Sequence, residues 1–541
     1  MAAPNPAAAA APKAEPAPPL HHDIMEQMPG LRYCIHDNPD LPEAIILGFQ
    51  HYIINLGTIV LFTNLIVPLM GGNDGDKARV IQTILFVSGL NTFLQTTVGS
   101  RLPVVIGVSF SYIVPILTII NTPRLQRIND DHERFEHTMR AIQGALIAGS
   151  SLQIILGFSG LWGIFTRFLS PIAIAPTIAM TALGLYEYGF PQVGKCVEIG
   201  IPTIILALVF SQYLWHVRVK VKKHFHVFEL FPVLITLVIV WGYAYILTVS
   251  GAYDNASVGG QRNCRTDRAN IIGSAPWIRF SYPLEWGAPT FDAGHAFGIM
   301  SAVFASTVES TAGFYAAYRL SGATPPPPYV ISRGIGWGGI AILLSGIFGT
   351  AAGATVSPEN IGLIGITRVG SRRVIQISAA WMAFFSLFGK FGGLFASIPV
   401  SLFAGFFTIL FGIVAAVGIS SLHFVNLNKT RNLFIVGFAL YMGLSVPFYF
   451  YQYRQAAGYG PVHTNARWFN DIINVFFSSN AVVALLIAAF LDNTMKSKQI
   501  SDKDRGMHWF MKFHDFSKDS RNEEFYKLPP WVHALDRFST N

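Results

Sequence analysis

Apolar stretches of about 17–25 residues follow one another along most of this chain, and a helix of about 20 apolar residues spans the hydrocarbon core of a bilayer. Only 13% of the residues are charged, about half the share that is usual in soluble proteins. The net charge of +8 comes from basic residues that mostly lie between the apolar stretches. The sequence therefore predicts an all-α polytopic membrane protein, in which the basic residues set topology and do not bind nucleic acid.

The apolar segments form two sets of about seven, separated by a polar stretch at 251–291. Because seven is odd, the two halves would have opposite orientations, as in the inverted repeats of secondary transporters. The first set is predicted at 43–69, 78–98, 103–121, 139–161, 166–186, 198–215 and 228–249. The second set is predicted at 293–317, 331–350, 354–366, 374–396, 399–421, 432–451 and 470–491.

Charge near the segment ends favours cytoplasmic termini. With that orientation, the short inner loops contain Lys and Arg but essentially no Asp or Glu. The sequon at Asn255 then falls in the outer loop 251–291, where a glycan can be added. Cys196 and Cys264 also fall in outer loops and can pair there. Residues 1–40 are a low-complexity stretch rich in Ala and Pro, which is typical of a disordered tail.

Two of the segments are short and interrupted. The tenth contains Pro358, Glu359 and Asn360 among small residues, and the third begins at Pro103 and includes Gly107. Short, Gly/Pro-interrupted segments in corresponding places of two halves indicate a binding site near the middle of the membrane. The alternative is that both segments only pack against their neighbours.

Acidic side chains inside apolar segments also favour a functional site. Glu309 lies deep in the eighth segment, where a carboxylate costs at least about 2.5 kcal/mol to insert, and the same reasoning applies to Glu359. Two carboxyl groups on one cavity can share a proton, which gives a physical means of coupling transport to protons. Gln50 and His51 lie inside the first segment, where a histidine often has only a structural role.

Nothing in the sequence indicates an enzyme or a cofactor. There is no Walker A motif, so ATP-driven pumping by this chain is not expected. There is also no cluster with metal-ligand spacing and no nucleophile elbow. The interrupted segments and the acidic side chains inside apolar segments instead favour a secondary transporter for a small solute.

The tenth segment resembles the signature of the nucleobase–ascorbate transporter family. In that signature Gln, Glu or Pro precedes Asn-x-Gly, and Thr with a basic residue follows after four positions. Here these positions are Glu359, Asn360, Gly362, Thr367 and Arg368. The Gln50-His51 pair and the sequence around Glu309 also match. The resemblance runs from about residue 30 to about residue 495, and it is strongest with the plant branch.

The resemblance implies a core domain and a gate domain that move past each other like an elevator, in a homodimer. It also implies short strands in the third and tenth segments. The implied boundaries are a cytoplasmic N-terminal tail at 1–40, core at 41–161, gate at 162–250, an outer loop at 251–291, core at 292–397, gate at 398–492 and a cytoplasmic C-terminal tail at 493–541.

The resemblance also implies roles for individual residues. Glu309 and Glu359 would bind the base ring, Phe110 would pack on it, and Ser109 and Pro358 would lie beside it. The remaining matched positions would shape or support the motif, namely Gln50, His51, Asn360, Gly362, Thr367 and Arg368.

The resemblance further implies that the substrate is a nucleobase, either uracil or a purine such as xanthine or uric acid, carried with protons across the plasma membrane, because nucleobase transporters of the family have Gln or Glu at the first motif position, where this chain has Glu359. Two alternatives stay open: a sodium- or proton-coupled ascorbate transporter, and a receptor or scaffold that keeps the fold without transport. The last is kept because Gly313 and Gly338 stand where the family often has polar residues.

Overall fold

A computed structural model describes residues 30–217, 219–221, 223–225, 227–267, 277–390, 394, 398–495, 501–508 and 525–529. Helices dominate these residues, as the apolar segments predict. The helices of the first half are α1 (Leu41–Met70), α2 (Asp74–Thr97), α3 (Ile113–Ile120), α4 (Pro123–Gln126), α5 (Asp131–Phe158), α6 (Leu161–Thr166), α7 (Pro171–Leu183), α8 (Phe190–Val193), α9 (Val197–Leu208), α10 (Val227–Leu230), α11 (Pro232–Val249) and α12 (Val258–Cys264).

The second half has the same character, with long helices separated by short or broken ones. Its helices are α13 (Ala293–Ser321), α14 (Pro328–Phe348), α15 (Pro358–Thr367), α16 (Arg372–Leu387), α17 (Val400–Ser420), α18 (Thr430–Ala457), α19 (Arg467–Ser478) and α20 (Asn480–Thr494).

Six helices in the described part of the chain are long and apolar enough to cross a membrane: α1, α5, α11, α14, the helical stretch Val400–Phe424 that contains α17, and α18. A seventh crossing is possible if the α19–α20 pair, which is bent by 85°, forms one broken span. This number is smaller than the predicted fourteen segments. The third and tenth segments, for example, contain helices of only 8 and 10 residues, α3 and α15.

The two interrupted segments each contribute a short strand, β1 (Ile106–Val108) and β4 (Ala354–Val356). The strands pair antiparallel, with Gly107 opposite Thr355. Outside the three-residue ladder, the Ser357 amide donates to the Val105 carbonyl at 2.9 Å, and the Ser109 amide donates to the Gly353 carbonyl at 3.1 Å. Segments about 250 residues apart therefore meet as one small buried sheet.

A second strand pair, β2 (Val219–Val221) with β3 (Lys223–Phe225), forms an antiparallel hairpin in the basic stretch before α10. The hydrophobicity pattern gave no sign of this hairpin, because the stretch is too polar to be a buried strand. The Cys196–Cys264 disulfide joins the start of α9 to the end of α12. The two cysteines that could pair according to the sequence therefore form a disulfide in the structure.

Residues 30–40 and 525–529, the described parts of the two predicted tails that pack on the helices, are more ordered than their composition predicts. Tyr33 forms a parallel bridge with Val369, and the Ile35 amide donates to the Ser321 carbonyl at 2.9 Å. The predicted disordered tail therefore ends before residue 40, while residues 1–29 lie outside the described part of the chain. In the C-terminal tail, Tyr526 is fully buried and its hydroxyl donates to the Thr324 carbonyl.

Helix packing falls into two groups. In one group, α5 packs along α13 and α14, and α16 packs along α1 and α2. In the other group, α7 packs along α17, α18 and α20. The motif helix α15 lies against α17 of the second group, so one face of the interrupted segment is at the boundary between the groups.

Candidate functional site

The two strands end at polar residues that cap the short helices following them. The Ser109 hydroxyl accepts a hydrogen bond from the Ser111 amide at 3.3 Å, at the start of a 3-10 turn that contains Phe110. The Ser357 hydroxyl accepts from the Asn360 amide at 3.4 Å, and Pro358 is the first residue of α15. Serine caps and an N-terminal proline are typical helix-start residues. Both helices therefore begin beside the sheet and present their N-termini there.

Glu359 lies in the first turn of α15 and is only 2% exposed. The Thr58 hydroxyl of α1 donates a hydrogen bond to the Glu359 carboxylate at 2.6 Å. The N-terminus of a helix favours a negative charge. The sheet, the helix terminus and α1 together fix the position of this carboxylate.

Glu309 lies in the middle of α13, as predicted. Its carboxylate accepts a hydrogen bond from the Ser109 hydroxyl at 3.0 Å and another from the Ser111 hydroxyl. Two hydroxyl donors on the segment after β1 therefore orient the acidic side chain of the second half.

Both glutamates line one cavity of about 1030 Å³. Ser109, Phe110 and Pro358 line the same cavity, so the structure brings together the five residues that the resemblance implied for substrate. The cavity continues to charged residues near the ends of other elements, including Lys77 and Lys195. Since Lys195 precedes Cys196, the cavity extends toward the side of the molecule that carries the disulfide.

Phe110 is half-buried, and its ring stacks on the ring of Tyr188, with centroids 3.9 Å apart and planes inclined by 19°. Tyr188 belongs to a 3-10 turn, Tyr186–Tyr188, that lies between α7 and α8. Tyr188 also lines the cavity. No local pattern in the sequence pointed to this tyrosine.

A polar stripe on α1 faces the motif. His51 Nδ1 is 2.9 Å from Asn360 Oδ1, and Thr58 bonds Glu359. Asn55 lies between them and faces β1, because a Cβ built on Gly107 would be 2.6 Å from Asn55 Oδ1. Residues four and seven positions after His51 share its face of a helix. This periodicity could have identified Thr58, which the sequence analysis missed together with Ser111.

The remaining predicted positions lie around the cavity wall and not on the cavity. The Gln50 side-chain amide donates to the Leu230 carbonyl at 2.7 Å and so joins α1 to α10. Thr367 donates to the Leu363 carbonyl at 2.8 Å within α15. Arg368 ends that helix with a left-handed φ of 56°, and its guanidinium lies 4.4 Å from the centre of the Trp215 ring. These contacts hold the motif helix in place.

Gly362 lies where α15 contacts α17 most closely. A Cβ built at this position would be 2.4 Å from the Leu410 carbonyl oxygen, closer than side chains approach a backbone atom. Glycine is the residue that allows such a close approach between two backbones.

We expect Gly362→Ala to lower the free energy of unfolding by roughly 1–3 kcal/mol, because added atoms in a packed core force neighbours apart. The measurement is the melting temperature of the purified protein in detergent. Gly412→Ala on α17 is the matched control, since a Cβ there meets nothing within 4 Å. Equal melting temperatures for the two variants would show that the contact between α15 and α17 is not as close as described.

Neighbouring side chains fill the space beside Gly313 and Gly338. A Cβ at Gly313 would be 2.6 Å from Val356 Cγ1, and a Cβ at Gly338 would be 2.4 Å from Gln153 Nε2. The Gln153 side-chain oxygen accepts from the Thr307 hydroxyl at 3.0 Å. An amide from α5 therefore stands next to the position where the family often has a polar residue on α14.

Asn255 is exposed in the turn after α11, and Ser257 of its sequon caps α12. Its side chain is therefore accessible to a glycan-adding enzyme if this face is on the lumenal side during synthesis.

Similarity to known proteins covers most of the chain. Residues 42–451 match a family model described as "Permease family". The chain is 58% identical to nucleobase-ascorbate transporter 2 of Arabidopsis thaliana over 510 residues, which is 94% of this chain and 97% of that protein. It is 57% identical to nucleobase-ascorbate transporter 1 of the same plant, over 94% of this chain and 98% of that protein.

A solved structure, the transmembrane domain of the cyanobacterial bicarbonate transporter BicA, aligns with 85% of this chain and 100% of that chain. The identity is 15% and the TM-score is 0.39.

Proposed function

The chain belongs to the nucleobase–ascorbate transporter family, and from this premise we propose that it is a symporter that carries a nucleobase and a proton across the membrane. The family membership makes it a membrane transporter and not an enzyme. The substrate, the coupling ion and the mechanism are our proposals.

One observation carries the choice of a nucleobase. Glu309 and Glu359, which come from different halves of the chain, line the same cavity, each oriented by hydroxyl donors. Carboxylate oxygens accept hydrogen bonds from N–H groups, and uracil and the oxidised purines present several N–H groups on one planar ring. Phe110 supplies an aromatic face beside the two carboxylates, on which a planar ring can stack.

The proposed proton site is the pair of glutamates. A carboxyl group inside an apolar helix is expensive to insert as an ion, and a proton taken up with the substrate removes that charge. Ascorbate is an anion near neutral pH that has no N–H donor, and two carboxylates would repel it unless they were protonated. Uric acid is also ionised near neutral pH and would need the same protonation, but it keeps N–H donors for the carboxyl oxygens. The cavity therefore favours the nucleobase over the ascorbate alternative, and measurable uptake would exclude the receptor alternative.

We propose fourteen membrane segments in two inverted repeats, with core and gate domains bounded as in the sequence analysis. The antiparallel pairing of β1 with β4 supports the repeat, because the third segment of each half contributes the equivalent strand. The two helix-packing groups support the division into domains. The core would carry the cavity past the gate in an elevator-type movement, and the close contact at Gly362 lies on that boundary.

We also propose a plasma-membrane location with cytoplasmic termini, and a homodimer. The Cys196–Cys264 disulfide supports the orientation, since disulfides persist on the oxidising side of a membrane. In intact cells, a membrane-impermeant maleimide should label the chain only after reduction, and Cys34→Ser should not change that labelling. Labelling of Cys34 in unreduced intact cells would contradict the orientation.

The proposed homodimer rests on the family resemblance. Co-purification of two differently tagged copies of the chain from the same cells would test it.

Uptake measurements test the proposed function directly. The full chain is expressed in cells that lack nucleobase uptake, and radiolabelled xanthine, uric acid, adenine, guanine, uracil and ascorbate are compared at several pH and sodium values. We expect one or more bases to accumulate faster at lower external pH without a sodium requirement. Sodium-dependent ascorbate accumulation would favour the alternative transporter, and binding without any uptake would favour the receptor.

A further inference from the structure

The Phe110–Tyr188 stack joins two parts of the chain that the proposed mechanism moves relative to each other. Phe110 follows β1 in the proposed core, whereas the turn Tyr186–Tyr188 packs on α8 and α17 of the proposed gate. A stack with centroids 3.9 Å apart and planes inclined by 19° is a direct contact across that boundary. The aromatic face that would hold a base is therefore covered by a side chain of the other domain.

The spacing of the two rings excludes a base from between them in the described state. Carbon atoms in contact are about 3.5–4.0 Å apart, so an inserted planar ring needs roughly twice the observed separation. One ring must move aside by about the thickness of a base. Tyr188 belongs to a single 3-10 turn, whereas Phe110 follows a strand that is paired within the buried sheet. Tyr188 is thus the ring with fewer constraints on it.

The hydroxyl group of Tyr188 does not tie the ring to its neighbours. Its ring lines the cavity, and among the residues that the structure describes its hydroxyl has no hydrogen-bond partner. Aromatic side chains contact bases mainly by stacking through the ring face. Tyr188 presents such a face, and no hydrogen bond of its hydroxyl to a described residue holds the ring in its present position.

We propose that Tyr188 and Phe110 form an aromatic clamp in which a planar base lies between the two rings. The two rings are in direct contact in the structure, so an entering base separates them and takes both faces. Because the rings belong to different domains, the clamp must open again when the core moves away from the gate. This inference rests on the proposed function, and it adds a substrate contact from the gate side that the family signature does not include.

Binding measurements on purified full-length protein test the clamp, with whichever labelled base the unmodified chain accumulates. We expect Tyr188→Leu to raise the apparent Kd about 10-fold, within the range that loss of one base–aromatic stack produces. Tyr188→Phe keeps the ring and should stay within about 2-fold of the unmodified protein. Phe190→Leu is the matched control, because that ring is two residues away, 57% exposed and outside the cavity lining, and its Kd should not change.

The possible results separate the clamp from the proposed function. Unchanged or tighter binding in Tyr188→Leu would overturn the clamp, since a ring that only blocks Phe110 would compete with the base. Equal weakening in Tyr188→Phe or in Phe190→Leu would overturn it as well. If Phe110→Leu weakens binding and Tyr188→Leu does not, only the clamp fails. If the unmodified chain accumulates none of the bases, the proposed function fails and the clamp fails with it.

Discussion

Replacing Glu359 with alanine should reduce the kcat/KM of nucleobase uptake by at least about 100-fold, which corresponds to about 2.7 kcal/mol. The carboxylate accepts from the Thr58 hydroxyl at 2.6 Å and lines the cavity. Hydrogen bonds to a charged group contribute about 1.5–3 kcal/mol each, so the loss of the hydrogen bonds between the substrate and the Glu359 carboxylate accounts for an effect of this size. Initial uptake rates, normalised to the amount of protein at the cell surface, provide the measurement.

Two further variants make the Glu359 result specific. Glu359→Gln keeps the size and one acceptor oxygen, and the resemblance places Gln at this position in some nucleobase transporters. We therefore expect it to retain uptake within about 10-fold of the unmodified chain. Glu133→Ala removes an exposed carboxylate at the start of α5 and should leave uptake unchanged. Uptake that survives in Glu359→Ala would remove Glu359 from the proposed site.

Replacing Glu309 with glutamine should remove both most of the uptake and its dependence on pH. The glutamine has no titratable proton, so a lower external pH should no longer increase whatever uptake remains. The glutamine NH2 group would also replace one of the two acceptor oxygens that receive hydrogen bonds from Ser109 and Ser111. One of these hydrogen bonds would be lost, and the side chain would be less well oriented. We expect a fall of roughly 100-fold in kcat/KM, measured as uptake between pH 5 and pH 8.

The serine pair supplies the control for Glu309. Ser109→Ala with Ser111→Ala removes the donors and leaves the carboxyl group in place. This double variant should lose at least about 10-fold in uptake, since hydrogen bonds to a charged group contribute about 1.5–3 kcal/mol each, but it should keep the increase at lower pH. If instead Glu309→Gln keeps the pH dependence, Glu309 does not bind the proton, and the same measurement on Glu359→Gln decides whether the other member of the pair does.

Much of the candidate site could be predicted because its signals are local. A carboxylate inside an apolar segment is costly wherever the helix packs, and a proline followed by polar residues is typical of a helix start, here in the middle of an apolar segment. Both features are visible in the printed letters around Glu309 and Glu359. The partners of these residues were not visible. Thr58 is 301 positions from Glu359, and Ser111 is 198 positions from Glu309.

In the fold, too, features with a local signal were predicted and features that depend on distant contacts were not. The apolar segments predicted the helices, but in the described part of the chain the helices that are both long and apolar enough to cross a bilayer are fewer than the segments, because strands, short helices and bends divide several of them. The order of residues 30–40 and of Tyr526 was also missed. Their polar composition is typical of a disordered tail. Their positions depend on contacts with distant residues, namely the bridge between Tyr33 and Val369 and the hydrogen bond from Tyr526 to the Thr324 carbonyl.

The sequence by itself determined that this is a membrane protein, which segments are broken and which acidic groups must face a cavity. Each of these follows from the free energy of single side chains and single backbone groups in lipid, which depends on local composition. Only the tertiary structure decided that β1 pairs with β4, that Cys196 bonds Cys264 and that Tyr188 covers Phe110. These contacts join residues far apart in the chain, and their free energy depends on the packing of the whole bundle.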